Sequence, residues 1–328
     1  MNSSLCLQGR HADCDVEPAA ALPFPSRLGA ALGMALLSVL GLTGYGLVGA
    51  ALVRGRRDAF SNSFYTLVLA LGAADTTMLL LFLLYAAPST MAGVAPGGHG
   101  LNVAAGVLCN VSWFTGLPCI LCITLNRYVA VCRYGAYERL FSAERTRRLL
   151  VGCLAHGAVV SLGQLHRCCH LKYEPSALTW AYDPDAWGSL PYIWYERLFV
   201  LTICLAMLLV YVAIVRAVKR QKETVGSALD ERSRRRRGRI ELNLAVQLMV
   251  VGACLLVFEA QFTLVPEYTS YHWFLYITSV VYIVNIGINP YVYLALNVTL
   301  RSSVLHLLGL KEAAPVVTRT SYPSRPRF

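Results

Sequence analysis

The sequence is poor in charged residues. Asp, Glu, Lys and Arg make up only 14% of the 328 residues, whereas hydrophobic residues make up 56%. A soluble domain carries roughly 25% charged residues, so this chain cannot cover its surface with polar groups. Its apolar residues lie in long uninterrupted runs, which indicates one helical bundle in a lipid bilayer rather than two soluble domains.

Features of several other protein classes are also missing. The net charge of +11 alone would suggest nucleic acid, but the basic residues lie in short stretches between apolar runs instead of on a water-exposed face. The 11 cysteines are scattered and several fall inside apolar segments, where they are expected to pack as small hydrophobes. We therefore predict no nucleic-acid partner, no metal site and no cofactor. No apolar stretch precedes Leu28, so the first span is predicted to act as its own insertion signal.

Seven apolar runs are long enough to cross the hydrocarbon core, which takes about 20 residues at 1.5 Å each. They are Leu28–Val53, Phe64–Ala87, Leu101–Val131, Leu149–Leu165, Ile193–Val215, Leu242–Val265 and Trp273–Leu296. We predict an all-α fold, a seven-transmembrane-helix bundle, with the membrane-spanning domain at 28–296. An outer segment at 1–27 precedes it, and a short amphipathic juxtamembrane helix at 297–308 and a flexible tail at 309–328 follow it.

The distribution of Lys and Arg predicts the orientation, because cytoplasmic loops retain positive charge. Four segments on one side of the predicted membrane hold most of these residues: 54–57, 133–148, 216–239 and 301–328. The other side holds only Arg10, Arg27, Arg167 and Lys172. We therefore expect a multi-pass plasma-membrane protein with its N-terminus outside the cell. The run Arg234–Arg237 is expected to contact anionic lipid headgroups, with direct contact to a cytoplasmic partner as the alternative.

Charged side chains within the predicted spans are few. Each costs about 2.5–3.5 kcal/mol at the centre of a membrane helix, so each is a functional hypothesis. Asp75 lies midway along the second span, Arg127 near the inner end of the third, and Glu259 within the sixth. Glu196 and Arg197 open the fifth span near the outer headgroups.

Two motifs at the inner ends of the third and seventh spans carry a family resemblance. Asn126-Arg127-Tyr128 resembles the Asp-Arg-Tyr sequence that closes helix three of rhodopsin-like G-protein-coupled receptors. Asn289-Pro290-Tyr291-Val292-Tyr293 resembles their helix-seven NPxxY motif. The resemblance implies a receptor that transmits the binding of an unknown extracellular ligand to a heterotrimeric G protein, with arrestin and receptor kinases as further candidate partners.

Three further matches extend this resemblance to residues 28–308. They are the stretch Leu69–Asp75 in helix two, Tyr211 with Ile214 at the inner end of helix five, and Asn285 one turn before the helix-seven motif. The outer loop 168–182, taken together with the Asn-Arg-Tyr sequence, is similar to the serpentine chemoreceptors of nematodes.

The physical chemistry of the two motifs predicts a switch. Pro290 removes one backbone hydrogen bond and kinks helix seven, and the preceding asparagine is predicted to supply polar groups to the freed carbonyls. Arg127 needs acceptors when the inner face is closed, and Glu241 at the start of helix six is the predicted partner. The resemblance implies that outward movement of helix six lets Tyr211 and Tyr293 offer hydroxyls to Arg127. The alternative is that Arg127 merely extends to the membrane interface.

The sequence departs from the family pattern at several of these positions. Asn126 replaces the acid that would neutralise Arg127, and Tyr45 stands where helix one usually has Asn. Gly116 stands where a helix-three Ser would help to hold sodium, which argues against a sodium site at Asp75. Helix six also lacks the usual Cys-Trp-x-Pro sequence.

The outer disulfide of the family is not expected here. Its helix-three cysteine would fall near Asn102, and Cys109 lies seven residues on, about 10 Å deeper in the membrane. Four cysteines are predicted outside the membrane: Cys6, Cys14, Cys168 and Cys169. They allow three pairings, of which we favour a link between the N-terminal segment and the Cys168-Cys169 pair. Asn2 is the predicted glycosylation site.

A ligand cavity is expected between the outer halves of helices three, five, six and seven. Its candidate residues are Cys109, Trp113, Glu196, Glu259, Phe262, Tyr276 and Tyr282. Cys109 takes the place of the acid that anchors amines in related receptors, and helix seven has no Lys to bind retinal. Amines remain open through Glu259 or Glu196, although we expect a mostly apolar or small polar ligand.

Three other functions remain as alternatives. A transporter or channel needs a polar path with several ionisable residues across the bilayer, whereas this chain has three scattered ones. An intramembrane enzyme needs paired carboxylates, HExxH or a Ser/His arrangement within the spans, and none occurs in the sequence. A receptor-like protein with impaired signalling is the third, because of the departures at Asn126, Tyr45 and helix six.

Overall fold

The computed structural model describes residues 22–55, 62–166, 169–224, 252–253, 255–257, 260–262 and 271–310. Most of the predicted sixth span lies outside these ranges. So do six of the predicted site residues: Asn2, Cys6, Cys14, Cys168, Glu241 and Glu259. The interpretations that rest on them stay predictions.

The helices are as follows: α1 Phe24–Arg54, α2 Ser63–Ala92, α3 Gly98–Cys132, α4 Ala143–Leu165, α5 Ser189–Thr224, α7 His272–Leu296 and α8 Val298–Leu307. The described residues between 252 and 262 are helical, and we call this part of the chain α6. Six helices in the described ranges are long and apolar enough to cross a membrane, and each coincides with a predicted span. The helices extend past the predicted ends because the apolar runs mark only the part inside the hydrocarbon.

α3 is the central helix of the bundle, since it packs against α2, α4, α5 and the outer loop, while α1 packs against α2 and α7. The sides that face away from this core expose large apolar residues, including Leu36 on α1, Leu154 on α4 and Leu209 on α5. A soluble bundle would place polar residues there. Such apolar surfaces on single helices are what lipid tails require.

One turn of α2, Phe82–Ala86, is π-helical. Its cause is Pro88, which has no backbone N–H and whose ring would clash with the preceding turn of a regular α-helix. The wider turn moves the backbone away from the proline and leaves both Phe82 and Tyr85 buried. The distortion therefore adds two aromatic side chains to the outer half of the core.

α7 is interrupted at Ile288, between the segments His272–Gly287 and Asn289–Leu296. Pro290 occupies the first turn of the second segment, where a missing N–H is tolerated. The predicted irregularity at this proline is therefore present. After α7, the side chain of Asn297 accepts a hydrogen bond from the backbone of Leu300 at 3.1 Å, which begins α8.

A two-stranded antiparallel hairpin covers the outer end of the bundle, and the sequence analysis did not predict it. It consists of β1 Leu171–Glu174 and β2 Thr179–Tyr182, with Tyr173 paired to Trp180. Leu178, before β2, has φ of 59°, a left-handed conformation that non-glycine residues adopt rarely. Its side chain is fully buried, so packing against the bundle holds it in this conformation.

The contact between α3 and α4 depends on a glycine. A Cβ atom at Gly157 would meet the hydroxyl of Thr115 and would lie 2.6 Å from the carbonyl oxygen of Val111. The hydroxyl can rotate away, but the backbone carbonyl cannot. Small residues allow helices to approach closely in membranes, where packing rather than hydrophobicity drives association.

We therefore expect Gly157→Ala to lower the thermal unfolding temperature of the detergent-purified protein, because overpacking costs about 1–3 kcal/mol. Gly152→Ala is the matched control, since Gly152 lies on the exposed side of the same helix with no atom within 4 Å of an added Cβ. That substitution should be neutral or stabilising because Ala has the higher helix propensity. Equal effects of the two substitutions would contradict this account of the α3–α4 contact.

Candidate functional site

A small cleft lies between the outer halves of the helices and beneath the hairpin. The room inside it for water-sized molecules is only about 20 Å³, so a ligand larger than water must displace part of its wall. It is lined by residues of α3, α5, α6, α7 and both strands: Cys109, Asn110, Trp113, Leu171, Thr179, Trp180, Tyr182, Glu196, Phe262, Thr278, Ser279 and Tyr282. The lining is mostly aromatic and apolar with few polar groups, which is typical of small-molecule sites.

Most of the predicted pocket residues meet in this cleft. Cys109, Trp113, Glu196, Phe262 and Tyr282 all line it. The ring planes of Trp113 and Tyr282 are nearly perpendicular, with centroids 5.5 Å apart, and the Sγ of Cys109 lies 3.9 Å from the Tyr282 hydroxyl.

Tyr276 does not line the cleft. Its hydroxyl donates to the backbone oxygen of Ala30 on α1 at 3.3 Å, so it joins α7 to α1 instead. The helical spacing of residues 276 and 282 did not distinguish the side that faces α1 from the side that faces α3.

A hydrogen-bonded chain of three side chains crosses the cleft. The hydroxyl of Tyr182 donates to Oε2 of Glu196 at 2.7 Å, and Nδ2 of Asn110 donates to the same hydroxyl at 3.3 Å. All three residues are buried. This chain satisfies the buried carboxylate in part and connects α3, β2 and α5 around one cavity.

The hairpin is held over the cleft by polar contacts with the helices. Asn102 on α3 donates to the backbone oxygen of Tyr173 at 3.0 Å and accepts from its backbone nitrogen at 2.8 Å. Ser279 on α7 donates to the backbone oxygen of Leu178 at 2.9 Å. At Gly106, the backbone of Leu171 approaches α3 so closely that a Cβ atom would overlap it. These contacts therefore hold the hairpin in place over the cleft.

Asn102 is the position near which the receptor family would place its helix-three cysteine. Here its side chain forms two hydrogen bonds to the outer loop, where the family would form a disulfide. Cys109 is buried within α3 and forms no disulfide bond, consistent with the expectation that it does not form the outer disulfide of the family. A pair of buried hydrogen bonds thus joins the same two parts of the chain.

A second polar cluster lies deeper, around Asp75. This carboxyl is 5% exposed, and it accepts hydrogen bonds from the hydroxyl of Tyr45 and, at 3.0 Å, from Nδ2 of Asn289. The Tyr45 hydroxyl also lies 2.9 Å from the carbonyl oxygen of Ile286. A phenol has one proton, so Tyr45 donates to only one of these two acceptors at a time.

The predicted switch residues surround this cluster. Asn285 and Asn289 are buried and line a small cavity together with Asp75 and Gly116. Asn289 donates to Asp75, whereas the sequence analysis assigned its polar groups to the carbonyls freed by the proline. The carboxylate is the stronger acceptor, which accounts for the difference.

Arg127 lies on the inner part of α3 against an aromatic ring. Its guanidinium carbon is 3.3 Å from the centroid of Phe64, a buried residue at the start of α2. Its electrostatic neighbours include the phenol groups of Tyr65, Tyr137 and Tyr293. In the described ranges Arg127 forms no ion pair, and Glu241 lies outside them. A cation stacked on a desolvated ring gains about 2 kcal/mol or more.

The remaining residues of the predicted relay are close to this stack. Asn126 is fully buried and donates to the hydroxyl of Tyr137 at 3.2 Å. Tyr211 and Tyr293 are buried, and Tyr293 has Asp75, Arg127 and Tyr211 as electrostatic neighbours. Tyr128 is half-buried and packs against the core. Residues from α2, α3, α5 and α7 thus meet at the inner end of the bundle.

Three cysteines meet where α3 faces α4. Cys119 and Cys122 have CxxC spacing on α3, so the assumption behind the predicted absence of zinc, that the chain has no CxxC pair, was wrong. Both cysteines contact Cys153 on α4. In the described part of the chain no group of three His, Cys, Asp or Glu residues is arranged to hold a metal ion. We assign these cysteines to packing between the two helices.

Several residues in these sites were not predicted. Phe64 and Tyr137 carry no motif, and aromatic residues more often pack in the core. Trp180 and Tyr182 belong to the outer loop 168–182, which was noted only for its family resemblance and not as part of the ligand cavity. Tyr45 was the one with a signal, because it occupies a position where the family has a polar side chain. A tyrosine there can still supply a hydrogen bond to the acid of helix two.

These features define a class of protein, and comparison with known proteins agrees. The structure is similar to that of squid rhodopsin, with a TM-score of 0.77, 14% sequence identity, and coverage of 92% of this chain and 91% of that one. The fold is therefore the rhodopsin-like bundle of seven membrane helices. The chain belongs to the serpentine-type seven-transmembrane G-protein-coupled chemoreceptor family Srx, whose model matches residues 36–289.

Two vertebrate receptors show sequence similarity as well. The human C-X-C chemokine receptor type 3 is 34% identical over 120 residues, which are 37% of this chain and 31% of that receptor. The rat somatostatin receptor type 5 is 26% identical over 316 residues, covering 89% of this chain and 82% of that receptor. The chain thus matches about a third of the length of the chemokine receptor. The family and the fold are those of multi-pass membrane receptors.

Proposed function

We propose that this protein is a plasma-membrane receptor that binds an extracellular small molecule and activates a heterotrimeric G protein in the cytoplasm. The observation that carries the proposal is the position of Arg127. It lies at the inner end of α3, stacked on Phe64, with the phenol of Tyr293 on α7 nearby. A cation so placed can change partners when the helices around it move.

The ligand cavity of this proposal is the outer cleft. Trp113 and Tyr282 form part of its wall. The hydroxyl of Tyr282 also lies 3.6 Å from the sulfur of Met78 on α2. A ligand in the cleft therefore contacts the outer half of α7, whose inner half follows the break at Ile288. Differential contacts of the ligand with two packings of α7 are what a population shift requires.

Signal transfer in this proposal runs through the Asp75 cluster. Asn289 joins the inner half of α7 to Asp75 on α2, and Tyr293 lies one helical turn further in. A shift of α7 changes these contacts together because the interior is close-packed. Arg127 would then leave Phe64 for the hydroxyls of Tyr211 and Tyr293, and this exposes the surface that a G protein recognises.

The basic inner loops support the orientation, with the N-terminus outside and the C-terminus in the cytoplasm. They also suit contact with anionic headgroups of the inner leaflet. Arrestin and receptor kinases are further proposed partners, because they act on activated receptors of this superfamily.

Receptor-like function without signalling is the second candidate. Asn126 is the observation that favours it, because this buried residue donates to Tyr137 and provides no negative charge for Arg127. If no acid holds the Arg127 guanidinium where it lies in the inactive receptor, the receptor either signals without ligand or does not signal. Nucleotide exchange measured without ligand separates the two outcomes.

We expect Arg127→Ala to reduce ligand-free nucleotide exchange to background, at least tenfold below the wild type, while the protein still reaches the cell surface. The measurement is binding of a non-hydrolysable GTP analogue in membranes that contain the receptor and a panel of G-protein chimeras. Arg54→Ala is the control, since it removes one exposed positive charge from the inner end of α1. If the wild type exchanged nucleotide above the background of receptor-free membranes and Arg127→Ala equalled it, Arg127 would have no role in coupling.

A second expectation concerns Asn126. Asn126→Asp should lower ligand-free exchange severalfold, because a carboxylate beside Arg127 favours the inactive position of the guanidinium. Asn126→Ala is the matched control, since it removes the bond to Tyr137 without adding charge, and it should leave exchange unchanged or higher. Exchange that rose in Asn126→Asp would mean that a charge at this position does not hold Arg127 in place.

A further inference from the structure

Two histidines face each other on the outer surface, beside the hairpin. His99 lies in the first turn of α3 and is exposed, whereas His170 immediately precedes β1 and is buried. Their ring centroids are 5.5 Å apart, and the ring planes are inclined at 60°. They belong to different parts of the chain, which only the folded structure brings together.

The separation of the two rings matches that of imidazoles bound to one metal ion. An imidazole nitrogen binds zinc at about 2.0–2.1 Å and lies about 1.2 Å from the centre of its own ring. Two imidazoles on a tetrahedral ion therefore have ring centres about 5.2 Å apart. The observed separation of 5.5 Å is close to this value, and the exposed His99 side chain is the one with room to adjust.

The surroundings of His170 suit a metal ligand. His170 is buried and directly precedes β1, so the packing of the hairpin restricts the orientation of its ring. Burial lowers the pKa of His170, and so do the neighbouring charges of His99 and Lys172, while Asp183 acts in the opposite direction.

The nearby charged groups are already paired with each other. Nζ of Lys172 lies 2.7 Å from Oδ2 of Asp183, and the other carboxylate oxygen of Asp183 accepts from the backbone of Asp185 at 3.2 Å. This bond to Lys172 lowers the pKa of Asp183. The pair therefore places charges of both signs near His170, so Asp183 offsets part of the repulsion that Lys172 exerts on a cation.

We propose that His99 and His170 bind one divalent transition-metal ion of the zinc type on the outer surface. Imidazole is a ligand that zinc, copper and nickel accept readily. In the described ranges no third His, Cys, Asp or Glu completes the group, so water fills the remaining positions. The ion joins the first turn of α3 to the strand that covers the cleft.

Such an ion would hold the same β1–β2 hairpin to which Asn102 and Ser279 form hydrogen bonds. His170 is next to β1, and its backbone oxygen accepts from the nitrogen of Asp183 just after β2 at 2.9 Å. Binding therefore adds a cross-link at the base of the hairpin, on the strand ends nearest to α3. The inference does not depend on G-protein coupling, because metal binding is measured on the receptor alone.

The test is titration of the purified full-length receptor in nanodiscs with zinc chloride alone, followed by calorimetry and by thermal unfolding. We expect one ion per chain in the wild type, and apparent affinity at least tenfold weaker in His99→Ala. The matched control is His272→Ala, which removes a histidine at the outer end of α7 and should bind as the wild type does. Zinc should raise the unfolding temperature of the wild type and of this control, and not that of His99→Ala.

His99 is exposed, so its substitution is not expected to prevent folding, and His170→Gln tests the buried partner in the same way. Cobalt(II) provides a spectroscopic check, because histidine and water ligands give d–d bands without the near-ultraviolet charge-transfer band of a thiolate. Three results would overturn the proposal. They are wild-type receptor that binds no zinc, equal affinity in His99→Ala and the wild type, and a thiolate band with cobalt.

Discussion

The inner half of this structure depends on how one buried carboxyl group is satisfied. An acid at mid-membrane costs several kcal/mol unless nearby groups supply hydrogen bonds. Asp75 on α2 receives them from Tyr45 on α1 and Asn289 on α7, so one group joins three helices. The contact to Asn289 also places the inner segment of α7, after the break at Ile288, against the rest of the bundle.

Two consequences follow at opposite ends of the molecule. On the inner side, α7 is positioned so that Tyr293 lies near Arg127, whose guanidinium stacks on Phe64 in the absence of an adjacent acid. On the outer side, Asn102 binds the backbone of the hairpin and does what a disulfide would do in related receptors, although without a covalent bond. The hairpin over the ligand cleft is held by hydrogen bonds, and the guanidinium of Arg127 is held by one aromatic ring. Because neither contact is covalent, a small change in free energy is enough to rearrange it.

The membrane helices could be predicted from sequence because a span needs about 20 apolar residues whatever its neighbours are. The motif residues Arg127 and Pro290 were found because their chemistry is rare inside a membrane. The hairpin was missed because strands of four residues give a weak pattern and their burial comes from contact with α3. Phe64 was missed for a similar reason: it is one aromatic residue among many, and only the fold brings it to the arginine.

A double-mutant cycle on Tyr45→Phe and Asp75→Asn, measured by thermal unfolding of the purified receptor, tests the central claim most directly. If the hydroxyl and the carboxyl interact as described, each single substitution destabilises the protein and the two effects are not additive. The coupling free energy should then be about 0.5–3 kcal/mol, as found for residues in one hydrogen-bond network. Effects that add to within about 0.3 kcal/mol would show that Tyr45 and Asp75 act independently, and would contradict the account.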